Sequence, residues 1–238
     1  MVNNTVVIIP TYNESENIPR LIRGINLLCM PIDILIVDDN SPDNTGDVIE
    51  SMRAANPNLS ILHRTQKEGL GPAYVHAFRH ILKENRYDYL IQMDADLSHN
   101  PMDIPRLLES IKEYDVVVGS RYVKGGGVSD DWSIFRKYMS RCANIYARFI
   151  TGLKVHDCTG GFRCYRKQAL GSMDLDKNFL KGYGFQVQLL YDLKRENLRI
   201  CEIPIFFSER TSGVSKMNLD IVVEAFISLI LMRLGVVR

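Results

Sequence analysis

Four short apolar runs, Val6 to Ile9, Ile32 to Val37, Tyr87 to Met93 and Val116 to Val118, punctuate the first half of the chain. They have strand length and are too continuous to be half exposed, which is the pattern of parallel strands covered on both faces. Between them the period changes. Ile18, Leu21, Ile22, Ile25 and Leu28 fall at helical spacing, with Ser15 expected as the N-cap. Pro72, after Gly71, suits the first turn of a helix carrying Val75, Phe78, Arg79 and Leu82. The β-α-β-α order predicts an α/β fold: an open, mostly parallel sheet flanked by helices, with ligands at the carboxyl ends of the strands. No Pro-, Gly- or Ser-rich linker divides the chain, so residues 1–220 are expected to form a single domain. Residues 221–238 are apolar apart from Glu224, Ser228, Arg233, Gly235 and the terminal Arg238. They are read as a C-terminal amphipathic helix, at the lower limit for crossing a bilayer and better suited to lying along its surface.

The chain has 238 residues, 46% of them hydrophobic, enough for one substantial core. A formal charge of +1 gives no global attraction to nucleic acid, and none is expected as a partner. The five cysteines form no C-x-x-C pair, so neither a disulfide framework nor a zinc site is expected, and a reducing compartment follows. With a strand starting near Thr5, no signal peptide is expected.

The polar chemistry gathers where strands end. Pro10-Thr11-Tyr12-Asn13-Glu14 follows the first run and Val37-Asp38-Asp39-Asn40-Ser41 ends the second, while Met93-Asp94-Ala95-Asp96-Leu97 closes a later one. Parallel strands share one carboxyl edge, so Tyr12, Glu14, Asp39, Asp94 and Asp96 are expected to line one cleft. Asp94 and Asp96 repel one another unless a divalent cation sits between them and a phosphate, which makes a metal-bound nucleotide the leading ligand. A dinucleotide-binding dehydrogenase also places an acid after its second strand. It fails here because Pro10 to Glu14 contains no glycine for the G-x-G-x-x-G approach to a pyrophosphate. Gly69-Leu70-Gly71 is read as a helix-initiating turn.

Taken together, P-T-Y-N-E at 10–14, V-D-D-N-S-P-D-N-T at 37–45, G-L-G-P-A at 69–73, M-D-A-D-L-S-H at 93–99 and G-S-R-Y at 119–122 resemble the A-type inverting glycosyltransferases of family 2. D-C-T-G-G-F-R at 157–163, K-G-Y-G-F-Q at 181–186 and S-E-R-T-S-G-V-S-K at 208–216 narrow the resemblance to members that mannosylate polyprenyl phosphates. It spans roughly residues 5–220. It implies an A-type glycosyltransferase fold, Mg²⁺ or Mn²⁺ as cofactor at Asp94 and Asp96, and a base and ribose held by Pro10, Tyr12, Glu14 and Asp39, joined by Lys67.

The chemistry reads alongside. Breaking the bond from an anomeric carbon to a diphosphate develops charge that needs a cation and basic side chains. Arg121, Arg210 and Lys216 are the candidate phosphate contacts and, with Asp96, the candidate catalytic set. A phosphate monoester is already a dianion near neutrality, its second pKa being about 6, so a lipid phosphate needs positioning rather than a general base. In segment 134–150, Ile134, Tyr138, Ile145 and Phe149 form an apolar stripe beside Lys137, Arg141 and Arg148. Arg136 and Arg141 are assigned to the lipid phosphate, against the alternative of an ordinary packed helix with a solvated basic face. Two positions depart from the family pattern. Ser98 stands where some relatives have Gln and would be a weaker metal ligand, and Gln188 replaces a common Glu.

The implied activity is inverting transfer of mannose from GDP-mannose to dolichyl or polyprenyl phosphate. The implied setting is the cytoplasmic face of a membrane, the endoplasmic reticulum in a eukaryote or the plasma membrane in a prokaryote. The protein would be peripheral there, with a membrane-anchoring subunit as a further candidate partner. The alternatives are a family-2 transferase using UDP-glucose or a saccharide acceptor, and a non-catalytic nucleotide-sugar-binding scaffold.

Overall fold

The computed structural model of the chain describes residues 4–177, 179–180, 182–209 and 219–234. The first strand, β1 (Thr5–Thr11), pairs in parallel with β2 (Ile32–Asp38) on one side and β4 (Tyr89–Gln92) on the other, and β2 pairs in parallel with β3 (Leu59–His63). Beyond β4 lie β7 (Arg163–Arg166), antiparallel to both neighbours, then β5 (Val116–Ser120) and β8 (Ile200–Pro204), giving a seven-stranded sheet of order β3-β2-β1-β4-β7-β5-β8. A second, two-stranded sheet joins β6 (Gly127–Val128) to β9 (Phe206–Phe207). All four predicted strands form, and the sheet is mostly parallel, as expected.

The continuous apolar character of the central strands has a direct cause: alternate residues feed two separate cores. Val6 and Ile8 of β1, with Leu35 and Val37 of β2, face α3 (Leu70–Leu82) and α7 (Tyr183–Arg195) through Tyr74, Phe78, Phe185 and Leu189. Val7 and Ile9, with Ile34 and Ile36, face α1 (Ile18–Asn26), α2 (Thr45–Arg53) and α4 (Ile104–Ser110) through Leu21, Ile22, Ile49 and Leu107. The result is a three-layer α/β/α arrangement.

The helix starts differ in one detail from the sequence expectation. Ser15 does not cap α1; its amide donates to Asp43 Oδ2 at 3.1 Å. The helix begins instead at Asn17, with Pro19 in its first turn, because the main-chain carbonyl of Glu14 accepts the amides of Asn17 and Ile18. Gly69 starts α3 at φ 104°, a conformation open to glycine, so the G-L-G segment is the helix-initiating turn it was read to be. Besides α7, the second half carries α5 (Ile134–Thr151), the short α6 (Lys167–Gly171) and the terminal α8 (Leu219–Arg233). Part of α8 packs, Leu229 and Met232 being buried and the Phe226 ring stacking on Tyr146 at 4.0 Å, while Ile227, Ile230 and Leu234 stay exposed. Among the described residues no helix is long and apolar enough to cross a membrane.

Candidate active site

Register decides which side chains meet at the carboxyl edge. Thr11 stands opposite Asp38, and Asp38 opposite His63, so the next residues along, Tyr12, Asp39 and Arg64, emerge side by side. The loops that follow are held by short polar side chains. Asp38 accepts the hydroxyls of Ser41 (2.6 Å) and Thr11 (3.2 Å), and Asp43 accepts the amide and hydroxyl of Thr45. Asn13, Asn40 and Asn44 take the positive φ angles these turns require, a conformation asparagine tolerates better than most residues.

On this edge the expected donor-side residues come together, each with a partner. The Lys67 ammonium lies 3.7 Å from the centre of the Tyr12 ring. Glu14 Oε2 accepts from the Asn17 side chain at 2.7 Å. Pro10 is still inside β1, paired with Val37. Asp39, buried, forms an ion pair with Arg64 and accepts amides from Glu68 and Gly69 at the start of α3. Burial pushes its carboxyl above the ordinary range, and the Arg64 charge only partly offsets this. Arg64 was missed from the sequence because β3, which delivers it, carries a weaker apolar pattern than its neighbours.

Asp94 and Asp96 follow β4. The Asp94 amide donates to Nδ1 of His99 at 3.1 Å, while Nε2 of the same ring lies 4.0 Å from Asp94 Oδ2. An Nδ1 that accepts carries no proton, so the neutral ring holds its proton on Nε2, facing the carboxylate. Phe162 stacks on this buried imidazole at 5.0 Å and Phe207 meets it edge-on at 5.3 Å; burial lowers its pKa. Ser98 has a different task from the one expected. Its hydroxyl (2.5 Å) and amide (3.1 Å) both donate to Asp96 Oδ1, so it orients a carboxylate rather than offering itself as a ligand. Gln188 likewise is buried and structural, accepting the Leu180 amide at 2.6 Å.

The fit of this pair to a divalent cation rests on the donors and on the space beside them. Two hard carboxylate oxygens suit Mg²⁺ or Mn²⁺, which complete their shells with water and phosphate. Gly161 closes against Asp94: a Cβ there would lie 3.1 Å from both carboxylate oxygens, so any larger residue would crowd the group. Among the described residues no cluster of three or more His, Cys, Asp and Glu side chains forms an all-protein cage.

The second half of the edge is reached from an unexpected direction. Because β7 runs antiparallel, with Arg163 opposite both Gln92 and Val118, the loop preceding it, 157–162, arrives at the same edge where β4 and β5 end. Asp157 in that loop captures Arg121. The guanidinium donates to both carboxylate oxygens (2.7 and 2.6 Å) and to Thr159 (2.9 Å), and the Arg121 amide adds a fourth bond (2.9 Å). Arg121 was expected as a phosphate contact; in the structure it is buried and fastens this loop. Burial is the largest single influence on Asp157 and would raise its pKa, yet the Arg121 charge, the hydrogen bonds from the Arg121 side chain and amide, and the Arg163 charge together outweigh it and hold the carboxyl below the ordinary range. From the other side Asn144 of α5 accepts the amides of Cys158 (2.7 Å) and Thr159 (3.2 Å). Asp157 and Asn144 went unassigned in the sequence, although the D-C-T-G-G-F-R motif pointed at the first.

Arg136 and Arg141 both lie on α5 and do not converge. Arg136 grips Glu209 (2.8 and 3.0 Å) and stacks over Trp132, while Arg141 lines a separate cavity beside Lys124 and Arg148. Ile134, Phe135, Tyr138, Ile145 and Phe149 stand exposed on this helix, Ile134 at 87% and Phe149 at 84%. The alternative of an ordinary packed helix does not account for that stripe. Ser208 donates its amide to the Ser98 carbonyl at 3.0 Å, so the 208–216 motif begins beside the Asp96 turn. Arg210 and Lys216 themselves lie outside the described residues.

A carboxylate pair at the carboxyl edge of such a sheet, flanked by donor-side and acceptor-side loops, defines an A-type glycosyltransferase. The family described as Glycosyl transferase family 2 matches residues 6–173, and the chain belongs to it. It is 45% identical over 223 residues to an undecaprenyl-phosphate mannosyltransferase of Micrococcus luteus, covering 94% of this chain and 91% of that one. It is 43% identical to a polyprenol monophosphomannose synthase of Mycolicibacterium smegmatis, covering 90% of this chain and 81% of the relative. Among solved structures, the glucosyl-3-phosphoglycerate synthase of Mycobacterium tuberculosis with Mn²⁺ and UDP-glucose superposes at a TM-score of 0.69 with 19% identity, covering 98% of this chain and 79% of the other. A Pyrobaculum calidifontis mannosyltransferase with GDP-mannose and Mn²⁺ superposes at 0.60 with 16% identity, covering 89% and 58%. These two share the fold.

Proposed function

We propose that the protein transfers mannose, with inversion, from GDP-mannose to the phosphate of a polyprenyl or dolichyl phosphate, working as a peripheral enzyme at the cytoplasmic face of a membrane. The observation that carries this reading is one loop with two neighbours. Segment 157–162 abuts the Asp94 carboxylate through Gly161 and is bonded to α5 through Asn144, and α5 exposes an apolar stripe to solvent. A metal–nucleotide edge and a lipid-seeking helix therefore share a wall. The names of the two bacterial relatives support the acceptor and the sugar, and the neighbour holding GDP-mannose supports the donor.

When bound, the divalent cation supplies the positive charge that the departing diphosphate requires. Asp94 and Asp96 would hold it, His99 fixing the Asp94 backbone and Ser98 orienting the Asp96 carboxylate. Tyr12, Lys67, Glu14 and Asp39 form the side of the edge where the nucleoside would lie. Arg210 and Lys216 are assigned to the diphosphate. No residue needs to remove a proton, since the acceptor phosphate is already anionic near neutrality. Exposed Ile227 and Ile230 of α8, with Leu234 just after it, extend the apolar surface offered to the membrane, and a membrane-anchoring subunit is a further candidate partner there.

The test presents purified protein with GDP-mannose or UDP-glucose and with polyprenyl phosphate, polyprenol or a simple sugar, with and without EDTA. EDTA-sensitive mannosylation of polyprenyl phosphate alone is the expected result. Comparable transfer to polyprenol or sugar overturns the acceptor assignment, and preference for UDP-glucose overturns the donor.

A further inference from the structure

One cavity stands apart from the Asp94–Asp96 edge and has a strongly one-sided lining. About 470 Å³ in volume, it lies between α5 and the turn that follows β5, and Lys124, Arg141 and Arg148 line it together with Ile145, Gly125 and His156. Among the described residues no Asp or Glu side chain borders it. Of its basic side chains, Arg121 is committed to Asp157, and His156 Nδ1 lies 2.9 Å from Glu202. Among the described residues Lys124, Arg141 and Arg148 make no ion pair, and Arg148 Nε is buried with no hydrogen-bond partner. Three cations facing one space repel one another, a cost that an anion filling the space removes. Backbone is exposed to the same space at Gly125, whose φ of 90° favours glycine.

The rim identifies the kind of anion. Ile145 lines the cavity and is 63% exposed, and Phe149, one turn further along α5, is 84% exposed. Three convergent cations beside an apolar strip suit a phosphate that carries hydrocarbon. Neither Asp94 nor Asp96 borders the cavity, so a phosphate held here is removed from the metal edge where an acceptor must react. We infer that this cavity binds the head group of an anionic phospholipid of the bilayer, seating α5 on the membrane beside the catalytic edge. The inference rests on the proposed lipid-surface function only in placing α5 at a bilayer, and its test uses neither donor nor turnover, so either can fail while the other stands.

The experiment titrates the full chain with dihexanoylphosphatidylglycerol below its micellar concentration, following backbone amide resonances. Saturable shifts at Gly125, Gly126 and His156 are expected, with much weaker shifts for dihexanoylphosphatidylcholine and for inorganic phosphate. Lys124→Gln combined with Arg148→Gln should weaken binding about 30-fold, the effect of removing two cations from an anionic head group, while amides of the central strands keep their positions. The single variant Lys124→Gln, at an exposed site, serves if the pair disturbs folding, with about fivefold weakening expected. Absence of saturable shifts, equal shifts with the zwitterionic lipid or with inorganic phosphate, or tighter occupation of the same amides by farnesyl phosphate would each overturn the inference, the last by making this an acceptor site.

Discussion

The two halves of the catalytic edge are built by different means. On the donor side, β1, β2 and β3 bring Tyr12, Asp39 and Arg64 together by parallel register, and the turns beyond are closed by short polar side chains within each loop and between the two adjacent loops. On the acceptor side a loop before an antiparallel strand is fastened by side chains from distant elements: Arg121 after β5, Asn144 on α5, and Glu202 on β8, whose carboxylate accepts the amides of His156 and Asp157. The first kind of site spreads its geometry over register and many short bonds, and its own buried ion pair, Asp39–Arg64, joins residues that the backbone already places side by side. The second concentrates its geometry in a buried ion pair, and removing one partner strands the other in a low-dielectric setting.

The largest effect is expected between the halves, at the residues both depend on. Asp96→Asn keeps the shape and the Ser98 contact but lowers the charge offered to a cation, so turnover should fall by about a thousandfold or more with thermal stability near wild type. Chelation should do the same to the wild-type protein. Full activity of the variant at saturating Mn²⁺ would remove Asp96 from the metal site.

Next comes the acceptor-side pair, where the readout is stability. Asp157→Ala removes the carboxylate against which the Arg121 charge is buried and should cost about 3–5 kcal/mol in denaturant unfolding. The sign with pH follows from the depressed carboxyl of Asp157. A group whose folded pKa lies below its unfolded value stabilises above the ordinary carboxylate range, near 4, and loses that contribution as pH falls through the depressed value. Wild type should therefore lose stability on acidification below about pH 4, and Asp157→Asn should show a shallower loss there. Identical acid slopes would mean the pair is energetically silent.

Much of this division was legible in the sequence, and where it was not the reason is physical. The strands of the donor half announced themselves because alternate residues fill two cores, leaving no polar interruption from Val6 to Ile9 or Ile34 to Val37. The motif residues at their ends could be placed on one edge from topology alone. The acceptor half resists such reading. Arg163 to Arg166 is a short strand with charged ends, so neither its direction nor the arrival of Asp157 beside Arg121 leaves a periodic trace. Asn144 sits in a helix whose pattern identifies a face but not the loop that face will meet. The exposed stripe of α5 was visible as a pattern, whereas its exposure is a fact of packing.

A subtler contrast concerns His99, which serves Asp94 by two routes. His99→Asn keeps an acceptor near the position of Nδ1 for the Asp94 amide and loses the Nε2 proton. His99→Gln places its polar group near Nε2 and loses the acceptor, and His99→Phe loses both while keeping the stack with Phe162. If the amide bond fixes the loop, Mn²⁺ affinity should fall about 10- to 100-fold in the Phe and Gln variants and recover in the Asn variant. Equal losses in all three would assign His99 to packing.

The smallest effect is expected where the donor side meets solvent. Lys67 is exposed and lies over the Tyr12 ring, and an exposed cation–π contact contributes little to the fold. Its proposed role is to hold Tyr12 in place for the nucleoside, a contact made equally before and during transfer. Lys67→Met should then raise KM for the nucleotide sugar by about two- to fivefold with kcat unchanged, and Lys67→Arg should restore it because a guanidinium stacks on tyrosine as well as an ammonium does. A drop in kcat would instead place Lys67 on the leaving diphosphate and make the donor side, like the acceptor side, dependent on a single charge.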